Sequence, residues 1–170
     1  MKGLCSFEIR EITSEIDIQK VVDFQYQIWG HTNTTPYPYL IASCHNGGIL
    51  IGAFDIDQLV GFCYGFPGYK QTEIYLVSHM MAVREDNINS GLGYLLKTKQ
   101  KELAVQKGYR KIVWTFDPLE SRNAYLNIHK LGGYVKSYYP NHYGDMSDAL
   151  NSGLPSDKFL IRVGSNSIIE

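Results

Sequence analysis

The sequence predicts a mixed α/β fold, in which helices cover both faces of one twisted, mostly antiparallel sheet of six to seven strands. Short turns join several apolar, β-rich segments, and such turns connect antiparallel hairpins. One strand leads through a glycine-containing loop into a helix and then into another strand, a crossover that makes one strand pair parallel. The 170 residues, 44% of them hydrophobic, are enough for one domain spanning 1–170.

The strands are predicted from runs of alternating or continuous apolar residues that end at turn-forming residues. The sequence FEIREI near the start, for example, alternates apolar and polar side chains. The Phe-Pro-Gly-Tyr sequence at 66–69 is expected to interrupt a strand, because proline cannot donate a ladder hydrogen bond. In chain order the strands are predicted at 5–12, 48–56, 59–65, 73–83, 111–116, 134–139 and 158–163.

The helices are predicted from their caps and from apolar residues at helical spacing. The run Thr13-Ser14-Glu15 provides a hydroxyl cap and an early acid for the first helix, and Gly30 ends it. On the third helix Lys97 is expected to be exposed, opposite an apolar face formed by Leu92, Leu95, Leu96 and Leu103. In chain order the helices are predicted at 13–29, 36–45, 91–107 and 121–131.

Composition and charge exclude several classes of protein. The 16 basic and 17 acidic residues give a net charge of −1, without the basic excess typical of nucleic-acid-binding proteins. No apolar run approaches the roughly 20 residues that span a bilayer, and the N-terminal segment lacks an apolar signal core. The 3 cysteines form no CxxC pair. The sequence therefore predicts a cytoplasmic protein with no metal site and no nucleic-acid or membrane partner.

A polar loop containing two glycines, 84–93, leads into the third helix. The backbone N–H groups at a helix start, together with the helix dipole, bind phosphate oxygens. Gly91 and Gly93 lack Cβ atoms, so a diphosphate can approach closely. The loop is neither the GxxxxGK[ST] motif of nucleoside triphosphatases nor the GxGxxG motif of dinucleotide-binding folds. It predicts an anion site of another kind, the alternative being a plain helix-start turn.

Four segments together resemble the GNAT superfamily of acyl-CoA-dependent N-acyltransferases, and the resemblance extends over nearly all of 7–163. The segments are the strand 79–83 (HMMAV), the loop and helix start 88–93 (INSGLG), the strand 113–115 (VWT) and the helix 121–133. The glycines match the superfamily pattern Q/R-x-x-G-x-G/A, although Ile88 stands where Gln or Arg is usual. The run WTFDPLESRNA at 114–124 resembles a branch in which some members transfer acyl groups, including succinyl, to small amines such as amino acids.

The resemblance implies that acetyl-CoA or another acyl-CoA is the cosubstrate and that no metal takes part. In the superfamily, the strand before the loop splays from its parallel neighbour, its free edge pairs with the pantetheine amides, and the loop N–H groups hold the diphosphate. The helix that follows the next strand adds a polar contact through Asn123. The basic side chains of Lys130, Arg122 and Lys97 are candidates to meet the ribose phosphate. The implied cofactor-binding residues are Met81, Ala82, Val83, Ile88, Asn89, Ser90, Gly91, Leu92, Gly93, Asn123 and Lys130.

Two residues are candidates for the base that the attacking amine requires. His79 is the first, because a neutral imidazole near pH 7 suits proton removal from an ammonium group. Strand alternation predicts that His79 shares a face with Met81 and Val83. Asp117, at the end of the neighbouring strand, is the second candidate. Its alternative role is an Asp-Pro turn residue that caps the following helix.

The acid that protonates the leaving thiolate is a tyrosine in much of the superfamily, but the matching position here is Ile128. Tyr125 lies one helical turn earlier and is a candidate replacement. Otherwise the thiolate leaves unaided, since a thiol pKa of about 8.5 makes it a tolerable leaving group. The long loop at 140–157 is expected to shape the acceptor pocket through Asn141, His142 and Tyr143.

These features together predict an enzyme that transfers an acyl group from acyl-CoA directly to the primary amine of a small molecule, within a ternary complex. A protein N-acyltransferase acting on a lysine or an N-terminus is one alternative. A non-catalytic acyl-CoA-binding module is another, and the departures at Ile88 and Ile128 are its support. Because many members of the superfamily are dimers, the resemblance also suggests a homodimer.

Overall fold

Seven strands of the chain form one sheet. The computed structural model describes residues 7–31, 33–142, 144 and 156–164. The strands are β1 (Glu8–Glu11), β2 (Ile49–Asp55), β3 (Gln58–Lys70), β4 (Glu73–Val83), β5 (Lys111–Phe116), β6 (Tyr134–Tyr139) and β7 (Lys158–Gly164). Their order across the sheet is β1-β2-β3-β4-β5-β7-β6. β4 and β5 are parallel and the other pairs are antiparallel, which confirms the predicted mixed sheet.

The helices begin and end close to their predicted limits. They are α1 (Glu15–Trp29), α2 (Tyr37–His45), α3 (Leu92–Gln106) and α4 (Ser121–Ala124), and α4 continues as a π-helical turn (Tyr125–Lys130). Ser14 caps α1, since its Oγ accepts a hydrogen bond from the backbone N–H of Asp17 at 3.2 Å. Gly30 follows α1 with a φ of 71°, a backbone conformation that glycine adopts without strain.

Helices pack on both faces of the sheet, as predicted. α1 and α2 contact β2 and β3 through one apolar cluster, which includes Phe24, Leu40 and Phe62. α3 crosses the opposite face, from β1 to β5, and forms a second cluster around Leu96 and Trp114. α1 and α2 pack on β2 and β3, so among the described residues neither helix covers β4 to β7 on this face of the sheet. Among the described residues, no helix is both long and apolar enough to cross a membrane.

The predicted interruption at 66–69 is wrong, because β3 continues to Lys70. β2 pairs with β3 only as far as the Ile49–Gly65 pair, whereas the pairing of β4 with β3 continues to the Lys70–Glu73 pair. Pro67 therefore lies where one edge of β3 no longer has a strand partner. A proline is tolerated there, because its missing N–H leaves no ladder bond unmade.

The buried face of α3 also differs from the prediction. Leu95 is 44% exposed, whereas Lys97 is only 7% exposed and Gln100 is fully buried. The helix presents two adjacent rows to the sheet, one apolar and one that contains Lys97 and Gln100. The expectation that Lys97 is exposed is therefore wrong. Its side chain is buried because it has two partners on the α3 side of the sheet, Ser78 and Trp114.

β4 and β5 are splayed, as the resemblance implies. Their pairing consists of Leu76 with Ile112 and Val77 with Val113. Beyond these two rungs the strands diverge, although both continue for several residues. The divergence leaves backbone groups of β4 without a strand partner on the β5 side, and it opens a cleft in the middle of the sheet.

Candidate active site

A groove of about 600 Å³ lies between the glycine loop and the start of α4. Of the residues predicted to bind the cofactor, those that line the groove are Val83, Ile88, Asn89, Gly91, Leu92, Gly93, Asn123 and Lys130. Leu92 is 1% exposed and its side chain belongs to the core cluster under α3. Arg122 lines the groove as well. The structure therefore brings most of the predicted set together beside two basic side chains.

The glycine loop turns sharply before α3 begins. Asn89 and Gly91 have positive φ values of 70° and 87°, and Gly91 is the N-cap of α3. The Ser90 hydroxyl donates to the carbonyl of Asn87 at 2.6 Å, which braces the turn from within. The N–H of Leu92 donates to Ser90 Oγ at 3.4 Å. The first N–H groups of a helix lack intrahelical partners, so those of Gly93 and Tyr94, which line the groove, can bind an anion there.

The splay of β4 and β5 encloses a cleft of about 200 Å³. It is lined by Ser78, His79, Met80, Met81, Lys97, Trp114, Thr115, Phe116, Asn123 and Asn127. Met81 thus lies at the cleft as predicted, and its Cε is 3.6 Å from the position that a Cβ on Gly93 would occupy. Ala82 is 8% exposed and belongs to the cluster under α1 and α2, so its side chain faces away from α3.

A β-bulge at His79 reverses the side-chain alternation of β4. Tyr64 on β3 is opposite Met80, but the next residue, Gly65, is opposite Ser78, so His79 has no partner on β3. Met81 packs on the α3 side of the sheet, whereas the His79 ring contacts Tyr64, which belongs to the cluster on the other side. The expectation that His79 shares a face with Met81 and Val83 is therefore wrong. The extra residue shifts the alternation by one position.

The His79 imidazole lies against aromatic rings. Its centroid is 5.5 Å from that of Phe66 and 6.3 Å from that of Tyr64, with both contacts edge-on. Part of the residue stays open to solvent, yet burial lowers the pKa of the imidazole below its usual value. His79 is therefore neutral near pH 7, with a nitrogen available to accept a proton.

A larger cavity, of about 710 Å³, lies on the sheet face opposite α3. His79 and Thr115 line both this cavity and the cleft. Aromatic walls are provided by Phe66, Tyr75 and Tyr139, and basic side chains from β5, β6 and β7 also line it. The cleft thus opens directly into a space that can hold an acceptor.

Lys97 lies at the bottom of the cleft. Its Nζ donates a hydrogen bond to the Ser78 hydroxyl at 2.6 Å and lies 4.1 Å from the centroid of the Trp114 ring. In the part of the chain that the structure describes, no carboxylate pairs with it. Burial lowers the pKa of its ammonium group, and the nearby Cys63 opposes this effect.

Asp117 lies outside the groove, the cleft and the large cavity. Its Oδ1 accepts a hydrogen bond from the backbone N–H of Leu119 at 2.8 Å, and its Oδ2 accepts from Lys158 Nζ at 3.4 Å. The carboxylate therefore braces the turn between β5 and α4. This placement favours the structural alternative over the role of base.

Tyr125 lines the groove rather than the cleft, and it is 56% exposed. Its ring stacks on His129 with the centroids 4.8 Å apart. Ile128, at the position where the superfamily places tyrosine, is 47% exposed. Among the described residues that line the cleft, neither tyrosine nor an acidic side chain is present.

One of the predicted acceptor residues lines the large cavity, and a second one holds a turn beside it. His142 lines the large cavity and stacks on Tyr139 with the centroids 5.2 Å apart. Asn141 holds a turn, since its N–H donates to Asp157 and its side-chain oxygen accepts from Ser156 Oγ at 3.2 Å. Tyr143 lies outside the described residues. Of the two that the structure describes, His142 is the one that lines the cavity.

The sequence interpretation placed Lys97 on the outer surface near the ribose phosphate, whereas it lies buried at the cleft, and it missed the basic lining of the large cavity. One signal for Lys97 was present, because Gly93, Lys97, Gln100 and Ala104 follow helical spacing beside the leucine row. The basic lining comes from separate strands, and its residues meet only once the sheet order is known. Within the described ranges, no three His, Cys, Asp or Glu side chains are grouped as a metal site requires.

Comparisons with known proteins agree with this geometry. The sequence model of the acetyltransferase (GNAT) family matches residues 18–132, about two thirds of the chain. A search of curated protein sequences finds no match.

Solved structures of acetyltransferases share the fold over nearly the whole chain. A putative acetyltransferase from Salmonella typhimurium, yncA, solved with acetyl-CoA, has a TM-score of 0.73 at 13% identity, covering 97% of each chain. Aminoglycoside 6'-acetyltransferase type Ii has a TM-score of 0.71 at 19% identity, covering 93% of this chain and 97% of its own. Arabidopsis thaliana Naa50, solved with the bisubstrate analogue CoA-Ac-MVNAL, has a TM-score of 0.69 at 14% identity, covering 94% and 99%.

Proposed function

The chain belongs to the GNAT acetyltransferase family, and from this premise we propose that it transfers an acyl group from acyl-CoA directly to the primary amine of a small molecule. One observation carries the proposal. The groove, the cleft and the large cavity adjoin one another in that order, because Asn123 lines the first two and His79 lines the last two. A donor entering from the glycine loop and an acceptor entering from the opposite face of the sheet would therefore meet at His79.

The residues present fit an acyl-CoA molecule. The loop and the start of α3 offer backbone N–H groups for the diphosphate, and Arg122 and Lys130 supply positive charge beside them. The unpaired edge of β4 beyond Val77 offers backbone groups for the pantetheine amides and for the thioester oxygen. Bound acyl-CoA supplies an activated acyl group, and the protein needs to orient it and exclude water.

His79 is proposed as the base. The acceptor nitrogen must be neutral to attack and must lose a proton as the amide forms. The imidazole is neutral near pH 7 and lies between the cleft and the acceptor cavity. It can take that proton and release it to the water in the cavity. Direct transfer needs no acyl-enzyme, and Cys63, whose Sγ lies 3.9 Å from the hydroxyl of the cleft residue Ser78, is fully buried.

The shape of the acceptor cavity favours a small acceptor over a peptide. Its walls come from β3 to β7 and include Phe66, Tyr75 and Tyr139, and His142 approaches from the loop after β6. A volume of about 710 Å³ is in the range of small-molecule sites. A protein N-acyltransferase remains the second candidate, because Naa50 shares the fold. Homodimer formation stays a prediction.

Calorimetric titration followed by a thiol-release assay tests the proposed function. We expect CoA, acetyl-CoA and succinyl-CoA to bind, and we expect free thiol to appear only when a primary amine is added. The preferred thioester would then direct the search for the acceptor. Binding without turnover on any amine or peptide would indicate a non-catalytic module instead. Absence of binding to all three would contradict the proposal itself.

A further inference from the structure

The acceptor cavity has a surplus of positive charge. Lys70, Lys111, Lys136 and Arg162 line it, whereas Glu73 is the one carboxylate among its described lining residues. Lys111 forms an ion pair with Glu73, and this hydrogen bond, with smaller effects from Arg162 and Lys136, holds the pKa of Glu73 below its usual range. No carboxylate of the described chain forms an ion pair with Lys136 or Arg162. Their charges are therefore available to a bound molecule.

The basic residues lie at a suitable distance from His79. Arg162 on β7 pairs with Val113 on β5, and Val113 pairs with Val77 on β4. His79 is two residues further along β4, on the same side of the sheet. Strand geometry places the two backbones about 6.6 Å apart along the strands and more than about 9.6 Å apart across them, since β4 and β5 diverge beyond Val77. Because the His79 and Arg162 side chains both extend into the cavity, a small molecule only a few bonds long can contact both.

We infer that the acceptor is an anionic amine, whose primary amine lies at His79 and whose carboxylate or phosphate binds Arg162 and Lys136. The inference rests on the proposed function and names its substrate class. A guanidinium group binds carboxylate or phosphate oxygens in a bidentate manner, and Lys136 adds a second charge beside it. The same field disfavours a polycation, so aminoglycosides are excluded as good acceptors even though two aminoglycoside 6'-acetyltransferases share the fold.

Matched pairs of acceptors test this inference at saturating acyl-CoA. One pair is an amino acid and its amide, and the other is phosphoethanolamine and ethanolamine, so the two pairs distinguish carboxylate from phosphate. We expect kcat/KM for the anionic member of at least one pair to exceed that of its neutral partner by about 10-fold or more, and we expect added salt to reduce the ratio. Equal or better turnover of the neutral amines, or of an aminoglycoside, would overturn the inference while leaving the proposed function in place.

Two variants locate the anion subsite. Arg162→Gln is expected to remove most of the preference for the anionic acceptor, and Lys136→Gln, at an exposed position that tolerates change, is expected to reduce it. Arg110→Gln is the matched control, because Arg110 is exposed just before β5 and does not line the cavity. Unchanged preference in both cavity variants would overturn the assignment.

Binding to the acyl-CoA-loaded protein separates the two possible failures. Calorimetry with the same amines reports the anion subsite even where turnover is absent. Tighter binding of the anionic amines, without thiol release, would support the subsite and contradict the proposed enzymatic function. Equal binding of anionic and neutral amines would overturn the subsite whether or not acyl transfer occurs.

A second inference follows independently from the buried Lys97. A lysine that is 7% exposed, with one hydroxyl and one aromatic ring as its partners, is costly to maintain unless an anion arrives beside it. The thioester sulfur is the atom that gains negative charge in the reaction. If the pantetheine amides pair with the free edge of β4, this sulfur lies in the cleft between the splayed strands. Cys63 on β3, His79 on β4 and Lys101 one turn along α3 are the titratable groups near Lys97.

The geometry points to Lys97 as the acid that protonates the leaving sulfur, in the place of the absent tyrosine. As the nitrogen–carbon bond forms and the carbon–sulfur bond breaks, the electron pair of the broken bond goes to sulfur. The Lys97 ammonium gives its proton to that sulfur and becomes a neutral amine, while His79 takes the proton of the acceptor nitrogen. His79 then loses this proton to water, and Lys97 regains one from water, so the charges balance over a turnover.

Lys97→Met separates an acid from a structural lysine. Because methionine fills a similar volume without a charge, we expect a melting temperature equal to or above that of the wild type, with kcat reduced about 100-fold. The wild-type-to-variant ratio of kcat should fall as pH rises through the Lys97 pKa, which burial places below the usual lysine value. Lys99→Met, which removes an exposed ion pair with Glu102 on the same helix, is the control.

Two results would overturn the role of Lys97. One is a ratio of kcat that stays constant with pH, since a structural lysine has no proton to give. The other, which needs no variant, is a wild-type kcat that shows no decrease up to a pH of about 10.5, the ordinary lysine pKa. Rescue of turnover in Lys97→Met by an exogenous tertiary ammonium salt, small enough to enter the cleft and unable to serve as an acyl acceptor, would add direct support.

Discussion

Replacement of Gly91 by glutamate is expected to weaken acyl-CoA binding about 100-fold or more, which corresponds to about 2.7 kcal/mol. Gly91 caps α3 with a φ of 87°, and no heavy atom lies within 4 Å of the position that its Cβ would take. The added side chain therefore has room to enter the groove, where its carboxylate would repel a diphosphate and compete for the same N–H groups. Calorimetric titration with acetyl-CoA measures the effect.

The same substitution at the other end of α3 provides the control. Gly108 has a φ of 83° and equally open surroundings, but it does not line the groove. Gly108→Glu thus has a similar backbone cost, about 1–2 kcal/mol of folding stability for a residue in the left-handed region. If both variants lost acyl-CoA binding equally, the cause would be folding, and if neither did, the glycine loop would not be the diphosphate site.

Most of the fold could be predicted from the sequence because its signals are local. Ser14 and Gly30 delimit α1, and the change from β to helical pattern at the glycine loop shows the crossover that makes β4 and β5 parallel. The error at Pro67 has a non-local cause, since whether a proline interrupts a strand depends on where the neighbouring strand ends. That neighbour, β2, is connected to β3 by a tight turn, but its length past Gly65 is not visible in the local pattern.

The cofactor side of the site was predictable for the same reason, whereas the acceptor side was not. The groove is formed by one continuous loop and the start of one later helix, and the resemblance covers both. The bulge at His79 depends on pairing with β3, and it moved the imidazole to the opposite face from Met81. Lys136 on β6 and Arg162 on β7 come from strands on the two sides of the long loop, so only the sheet order brings them into one cavity with His79.

His79→Gln is expected to lower kcat/KM about 100- to 1,000-fold, the range that loss of a positioned general base usually gives. Glutamine keeps much of the volume between Tyr64 and Phe66 but cannot accept a proton near neutral pH. The melting temperature and the affinity for acyl-CoA should remain close to those of the wild type, because His79 does not line the groove. His45→Gln, at an exposed position at the end of α2, is the matched control.

The pH dependence of this loss identifies its cause. The imidazole acts only when neutral, and burial lowers its pKa, so the wild-type rate should fall with decreasing pH only below about 6.5. Protonation of the acceptor affects both proteins alike and cancels in the wild-type-to-variant ratio. That ratio should therefore be constant at neutral and higher pH and should decrease as pH falls through the His79 pKa. A ratio near one at all pH values would remove His79 as the base, and a large ratio that does not change with pH would leave it only a packing role between the two rings.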